Sequence, residues 1–220
     1  FQVTEDGNMI YMLDVRGVLS AWDTTRFEKL GSVATGETYT NQICVTPENH
    51  FLLLSNDDVL YCYDSDGTLL WQLDCVKSFA YLNQRTELMV LRRSAEIPEE
   101  ICFVQPDTGE QTQPAFLLEE KPEDVYIYGF TQLDYESQNP VILDGSDDEN
   151  NLVLPVNVEK RTLGRTICFK EGSLLEGHIQ RASVSENGNI LIMVSDGVGQ
   201  REALRCCMEN GDCSAEELAT

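Results

Sequence analysis

The chain has 220 residues, 42% of them hydrophobic and 24% charged, which is the balance of a soluble globular protein able to bury a core. Its 38 acids against 15 bases leave a net charge of −23, a field that repels phosphate backbones and anionic lipid and so argues against nucleic-acid and membrane partners. No apolar run reaches the 18 or more residues of a membrane helix, and the polar start at Gln2 carries no secretory signal.

In chain order, the reading is of short strands separated by turn residues, organised by a phrase that recurs three times. Val3-Thr4-Glu5-Asp6-Gly7, Val45-Thr46-Pro47-Glu48-Asn49 and Val184-Ser185-Glu186-Asn187-Gly188 each precede an apolar run, the first two 42 residues apart and the last two 139. A period of 40–45 residues made only of strands predicts an all-β β-propeller of about five four-stranded antiparallel blades. The blades are predicted at 1–36, 37–76, 77–118, 119–174 and 175–220, as a single domain.

Blade one has strands at 9–13, 18–22 and 27–33, and blade two at 41–46, 51–54, 59–63 and 68–73. Pro47-Glu48-Asn49, Asn56-Asp57-Asp58 and Asp64-Ser65-Asp66-Gly67 are turn chemistry, because Asn, Asp and Gly accept positive φ. Blade three reads 78–82, 87–91, 101–105 and 111–116, with a long connection at 92–100. Blade four reads 125–133 and 141–143, is interrupted by an acidic loop at 144–151, then resumes at 152–158 and 165–169. Blade five has strands at 179–184, 190–194 and 203–208, then a short tail after Gly211. Five such blades either close a small ring or form the C-terminal part of a larger one, and a start inside a repeat phrase reads as an excised piece or a processed product.

Eight cysteines are present, and Cys44, Cys62, Cys102 and Cys168 lie in apolar runs, where a free thiol behaves as a small hydrophobe. With Cys75 they are expected to be free and mostly buried. Cys206-Cys207 and Cys213 have no histidine nearby, so zinc is not expected, and the chain reads as cytoplasmic.

Three stretches resemble WD40 repeats. Blade five carries Gly177-His178, then Val184-Ser185-x-x-Gly188, then Ser195-Asp196; blade one ends a strand in Trp22-Asp23 with Asp14 in the preceding turn; blade two has Tyr63-Asp64 in place of Trp-Asp. The 59–71 stretch is also similar to repeats of quinoprotein propellers of the pyrroloquinoline-quinone type. The WD40 resemblance implies structural roles: His178 and Asp196 would lock strand to turn, Asp14 and Asp57 or Asp58 would do the same turn work, and Trp22 and Trp71 would pack between blades.

No nucleophile motif, phosphate loop or metal-binding helix motif occurs, and the only histidines are His50 and His178. No cofactor and no metal are expected. Two carboxylate readings compete with a solvated surface. Asp144, Ser146, Asp148 and Asn150 alternate like calcium ligands but lack the Gly and closing Glu of an EF-hand loop. A propeller glycosidase would hang a carboxylate pair into its channel, which is the enzyme alternative. The preferred reading is a non-catalytic propeller, a scaffold or sensor that binds a protein or peptide on its turn face. That face is predicted to carry Asp57, Asp58, Glu119, Glu120, Glu123, Asp124, Asp144, Asp147, Asp148 and Glu149. From Leu117 to Asn150, ten acids meet one lysine, so a basic partner is expected, alongside other domains of the same full-length chain.

Overall fold

The recurring phrase builds one kind of turn. In its first copy Gly7 sits at φ 71° and donates to the Thr4 carbonyl at 2.9 Å; in the second, Asn49 at φ 63° donates to the Thr46 carbonyl at 2.9 Å. The Thr hydroxyl oxygen then accepts the next exposed donor, Met9 N at 3.1 Å or His50 N at 3.2 Å. The left-handed position explains why the phrase ends in Gly or Asn, and the hydroxyl explains its Thr. The third copy extends from Val184 into residues 185–188, which lie outside the described residues. The computed structural model describes residues 1–4, 7–35, 39–82, 85–97, 99–118, 125–132, 141–146, 150–158, 160–163, 167–170, 178–184, 189–195, 201–207 and 213–217.

The apolar runs between these turns pair into antiparallel meanders. The first is β1 (Gln2–Val3), β2 (Met9–Leu13), β3 (Val18–Asp23) and β4 (Glu28–Ala34), bonded in that order. The second is β5 (Tyr39–Val45), β6 (Phe51–Ser55), β7 (Leu60–Tyr63) and β8 (Leu69–Leu73). The third is β9 (Val76–Leu82), β10 (Glu87–Arg92), β11 (Glu100–Val104) and β12 (Gln111–Leu117). The fourth contains β13 (Tyr126–Gln132), β14 (Val141–Ser146), β15 (Asn150–Asn157), β16 (Thr162–Leu163) and β17 (Ile167–Lys170). The fifth is β18 (His178–Val184), β19 (Asn189–Ser195), β20 (Arg201–Cys207) and β21 (Cys213–Glu217), so the tail after Gly211 completes a blade as a strand.

The fourth sheet departs from the expectation. Asp144, Gly145 and Ser146 belong to β14 and pair with Val153, Leu152 and Asn151 of β15. The predicted loop at 144–151 is therefore mostly strand, with only 147–149 between the paired residues. Ladder pairing wins there because Leu143, Leu152, Val153 and Leu154 are all buried and pull their acidic neighbours into register. Of the four residues that alternate in the sequence, Asp144 and Ser146 are held in one strand and Asn150 in the next, and Asp148 lies outside the described residues. The long β15 also forks: 150–153 pairs with β17, while Val156 and Asn157 pair with β16.

The chain divides into two compact units, Phe1–Ala115 and Phe116–Thr220. Within the first, Tyr11 and Leu19 of blade one pack against Phe51, Leu53 and Tyr63 of blade two. The opposite face of blade two, Leu52, Leu54, Leu60 and Cys62, packs against Val76, Phe79, Tyr81, Leu88, Val90, Cys102 and Val104 of blade three. Inner strands apolar on both faces read as continuous runs, which is why Phe51-Leu52-Leu53-Leu54 shows no alternation. Glutamines stitch the innermost strands: Gln2 Oε1 accepts Val45 N at 2.7 Å, and Gln42 Nε2 donates to the Phe79 carbonyl at 3.1 Å.

Cys44, Cys62, Cys75 and Cys102 are free, but only Cys62 and Cys102 are fully buried. Cys75 lies at φ 64° in the two-residue crossover between β8 and β9 and is half-buried, where a buried thiol was expected. The placements of Cys168, Cys206, Cys207 and Cys213 are those of their strands alone. Burial pushes the Cys44 and Cys62 thiols up to about 12 and Cys102 to about 11. Only thiolate reacts with iodoacetamide at useful rates. Alkylation of the native protein at pH 8, read by peptide mass spectrometry, is expected to modify Cys75 and spare Cys44, Cys62 and Cys102. All four react after denaturation.

Candidate partner-binding face

In an up-and-down meander the turn between the second and third strands and the crossover to the next blade emerge at the same end of the sheets. In the first unit this end carries 14–17, 56–59, 74–75 and 93–99, all loops of the kind that bear binding residues on a rigid frame. Backbone hydrogen bonds tie them together. Thr35 donates to the Gly17 carbonyl from its amide at 3.0 Å and its hydroxyl at 2.6 Å. Val76 N donates to the Asp58 carbonyl at 2.8 Å, and Arg93 N to the Cys75 carbonyl at 3.0 Å. Turn and crossover are thus latched in each of the three blades.

The turns themselves follow one design. Asp14 Oδ1 accepts Arg16 N at 2.8 Å and Val18 N at 3.0 Å, the turn work the sequence assigned to it. In blade two that work falls to Ser55, whose Oγ accepts Asp57 N at 3.3 Å and Val59 N at 3.1 Å. Asp58 instead takes the left-handed position at φ 61°, as Gly17 does at φ 74°. Neither Asp57 nor Asp58 caps the turn, because the capping residue must precede the bend and the aspartates follow it. At the other end of the blades Asp64 Oδ1 accepts Asp66 N and Thr68 N at 2.9 and 2.8 Å, and Asp23 Oδ1 accepts Thr25 N and Arg26 N at 2.9 Å.

The amide of Val18 holds the Asp14 carboxyl below its ordinary value of 3.8, and the Thr25 hydroxyl does the same for Asp23. A lowered folded value means their stabilisation is complete above the ordinary carboxylate range and is lost as pH falls from about 4 through the lowered value. The thermal midpoint of the Asp14→Asn, Asp23→Asn double variant is expected to lie below wild type at pH 6, with the gap shrinking toward pH 2.5. A gap independent of pH would show that these carboxylates do not cap.

Charge on this face is largely paired. Asp58 meets Lys77 in a close ion pair, Arg93 meets Glu99 at 2.9 Å, Arg92 meets Glu100 at 3.6 Å, and Arg16 meets Asp14 at 3.1 Å. With the flanking Lys77, Arg92 and Glu100, the segments nonetheless hold seven acids against four cations. Asp57, Asp74 and Glu96 are exposed, and Val15 at the tip of its turn is 91% exposed. Of the predicted residues, Asp57 and Asp58 come to this face. Asp144 stands in β14; Glu119, Glu120, Glu123, Asp124, Asp147, Asp148, Glu149 and Asp196 lie outside the described residues. His178 opens β18 opposite Ser195.

Trp71 does pack between blades, with its Nε1 donating to the Pro106 carbonyl at 2.8 Å. Trp22 does not meet blade two: its Nε1 donates to Ser20 Oγ of its own strand at 3.2 Å. Sequence reading missed Ser55, which stands at the same offset before a turn as Asp14, and the cation Lys77, which no motif marks. It also missed an inter-blade pair at the opposite end, where His50 Nδ1 lies 3.0 Å from Asp107 Oδ1 without hydrogen-bond geometry. Among the described residues no group of three or more His, Cys, Asp or Glu could hold a metal ion, and no helix is long and apolar enough to cross a membrane.

No protein-family model matches the chain, and no curated protein sequence matches it. Solved structures do. The Dos1 propeller is similar at TM-score 0.65 and 12% identity over 99% of this chain and 57% of that one. BamB from Moraxella catarrhalis is similar at 0.60 and 12% over 100% and 62%, and a chain of the Mitotic Checkpoint Complex at 0.63 and 9% over 98% and 62%. The chain thus spans between 57% and 62% of the length of these three. At such low identity the likeness concerns fold alone, and together with the antiparallel meanders it makes the fold of this chain an all-β propeller of four-stranded blades.

Proposed function

We propose that the chain is a non-catalytic propeller, a scaffold or sensor that binds a basic protein or peptide on the end of its blades where second-to-third-strand turns and crossovers meet. The observation that carries this reading is the latched surface itself: turns tied to crossovers by backbone bonds in three successive blades, with acidic and apolar tips projecting from a fixed frame. A stiff surface loses little conformational entropy on binding, which favours affinity for an extended partner. A similar propeller belongs to a multiprotein assembly, the Mitotic Checkpoint Complex, which agrees with such a role. The surplus of acids selects a cationic partner and steers its approach.

The test is a hydrogen-exchange footprint with a Lys/Arg-rich peptide as probe. Amides of 14–17, 56–59 and 93–99 are expected to gain protection, while 64–68 and 105–110 at the opposite end do not change. Protection confined to the opposite end, or none at any peptide concentration, would overturn the proposal.

A further inference from the structure

Blade one is built to be covered on both faces. One side of β2 and β3, with Tyr11 and Leu19 buried, seats on blade two. The other presents Val3, Ile10, Met12, Val18 and Trp22, placed together by the pairings Val3↔Ile10, Ile10↔Trp22 and Met12↔Ser20. Val3 is 44% and Met12 47% exposed, and the rest are half-buried. The corresponding strands of blades two and three are apolar on both faces too, and there Leu52, Leu53, Leu60, Leu88, Met89, Val90, Leu91 and Ile101 are all 0% exposed.

The polar groups on the open face need nothing from a partner. Trp22 Nε1 donates to Ser20 Oγ at 3.2 Å, and Ser20 Oγ donates to the Met12 carbonyl at 3.4 Å. A face whose donors are satisfied within its own sheet can be dehydrated without an unpaired-donor penalty. Its carboxylates stand at the margins, where Asp14 pairs with Arg16 and Asp23 with Arg26. These properties match the sides of blades two and three that meet each other, and they differ from the acidic turn face.

We propose that this face seats a further four-stranded antiparallel blade, apolar on its facing side and supplied by polypeptide beyond these 220 residues. The similar propellers, of which the chain spans 57–62%, are long enough to include such blades. The inference is independent of which partner the turn face binds.

The test places a cysteine at Met12 and a photoreactive benzophenone amino acid at the same position in a second variant, both in the native full-length protein. Met12→Cys is expected to alkylate at least about tenfold more slowly than a Val15→Cys control, since a covered site reacts only on local opening. That protection should not change on dilution. The photo-cross-link should join position 12 to a peptide outside residues 1–220 of the same polypeptide. Alkylation as fast as the control, protection that dilution removes, or a cross-link within residues 1–220 or to another copy would each overturn the proposal.

Discussion

Replacing Gly109 by alanine is expected to destabilise the protein by about 2–5 kcal/mol, the sum of a left-handed backbone penalty and an overpacking cost. Gly109 closes the turn between β11 and β12 at φ 71°, and a Cβ there would stand 2.8 Å from the Trp71 ring of blade two. The ring cannot swing aside freely, because its Nε1 is bonded to the Pro106 carbonyl of the same turn and its face packs on the inter-blade core. Gly67 offers a comparison. It has φ 82°, but its Cβ would meet Val33 Cγ1 at 2.3 Å, a half-buried side chain at the end of β4. Denaturant midpoints of Gly109→Ala and of the Gly109→Ala, Trp71→Leu pair measure the two costs. Partial recovery in the pair assigns the remainder to the backbone.

Leu52→Ala is expected to cost about 2–5 kcal/mol, because a fully enclosed leucine leaves a cavity that its neighbours fill only in part. Leu52 is 0% exposed between blades two and three, among Leu60, Leu88 and Val90. For a chain of this size the loss corresponds to roughly 4–20 °C in thermal midpoint, at about 2–4 °C per kcal/mol. Thermal unfolding followed by far-UV circular dichroism reads it. Equal midpoints for wild type and Leu52→Ala would mean that the blade two–blade three interface is not the core of the first unit.

The blade plan was legible because its two signals are local. Apolar runs of strand length and turn residues at fixed offsets placed β2, β6, β10 and β12 to within a residue or two of their observed bounds. The repeat phrase was equally readable, since a left-handed turn position admits few residues. What escaped is what depends on distant residues. The run at 144–151 looks like a loop by composition, yet ladder pairing with buried leucines and valines turns most of it into strand. The WD40 resemblance placed Asp57 or Asp58 in the capping role, where only the identity of the preceding Ser55 reveals the cap. The pairing of Asp58 escaped because its cation, Lys77, comes from a strand of the next blade, whereas Arg92 and Arg93 meet Glu100 and Glu99 across their own turn. The split of Trp22 and Trp71 between two environments likewise depends on which side of a sheet faces a neighbour, and a dipeptide motif does not encode that.

The account rests on the acidic turn face as the surface that meets a basic partner. The most direct measurement is the association rate of a Lys/Arg-rich peptide over a range of ionic strength, for the wild type and for a variant with Asp57→Asn, Asp74→Asn and Glu96→Gln. Exposed charges act over about 8 Å at physiological ionic strength and further in dilute salt. The account predicts that the variant associates about tenfold more slowly at low ionic strength, that the two rates converge as salt rises, and that the thermal midpoints stay within a degree or two. Equal rates with equal salt dependence would contradict it and leave these carboxylates as solvated surface.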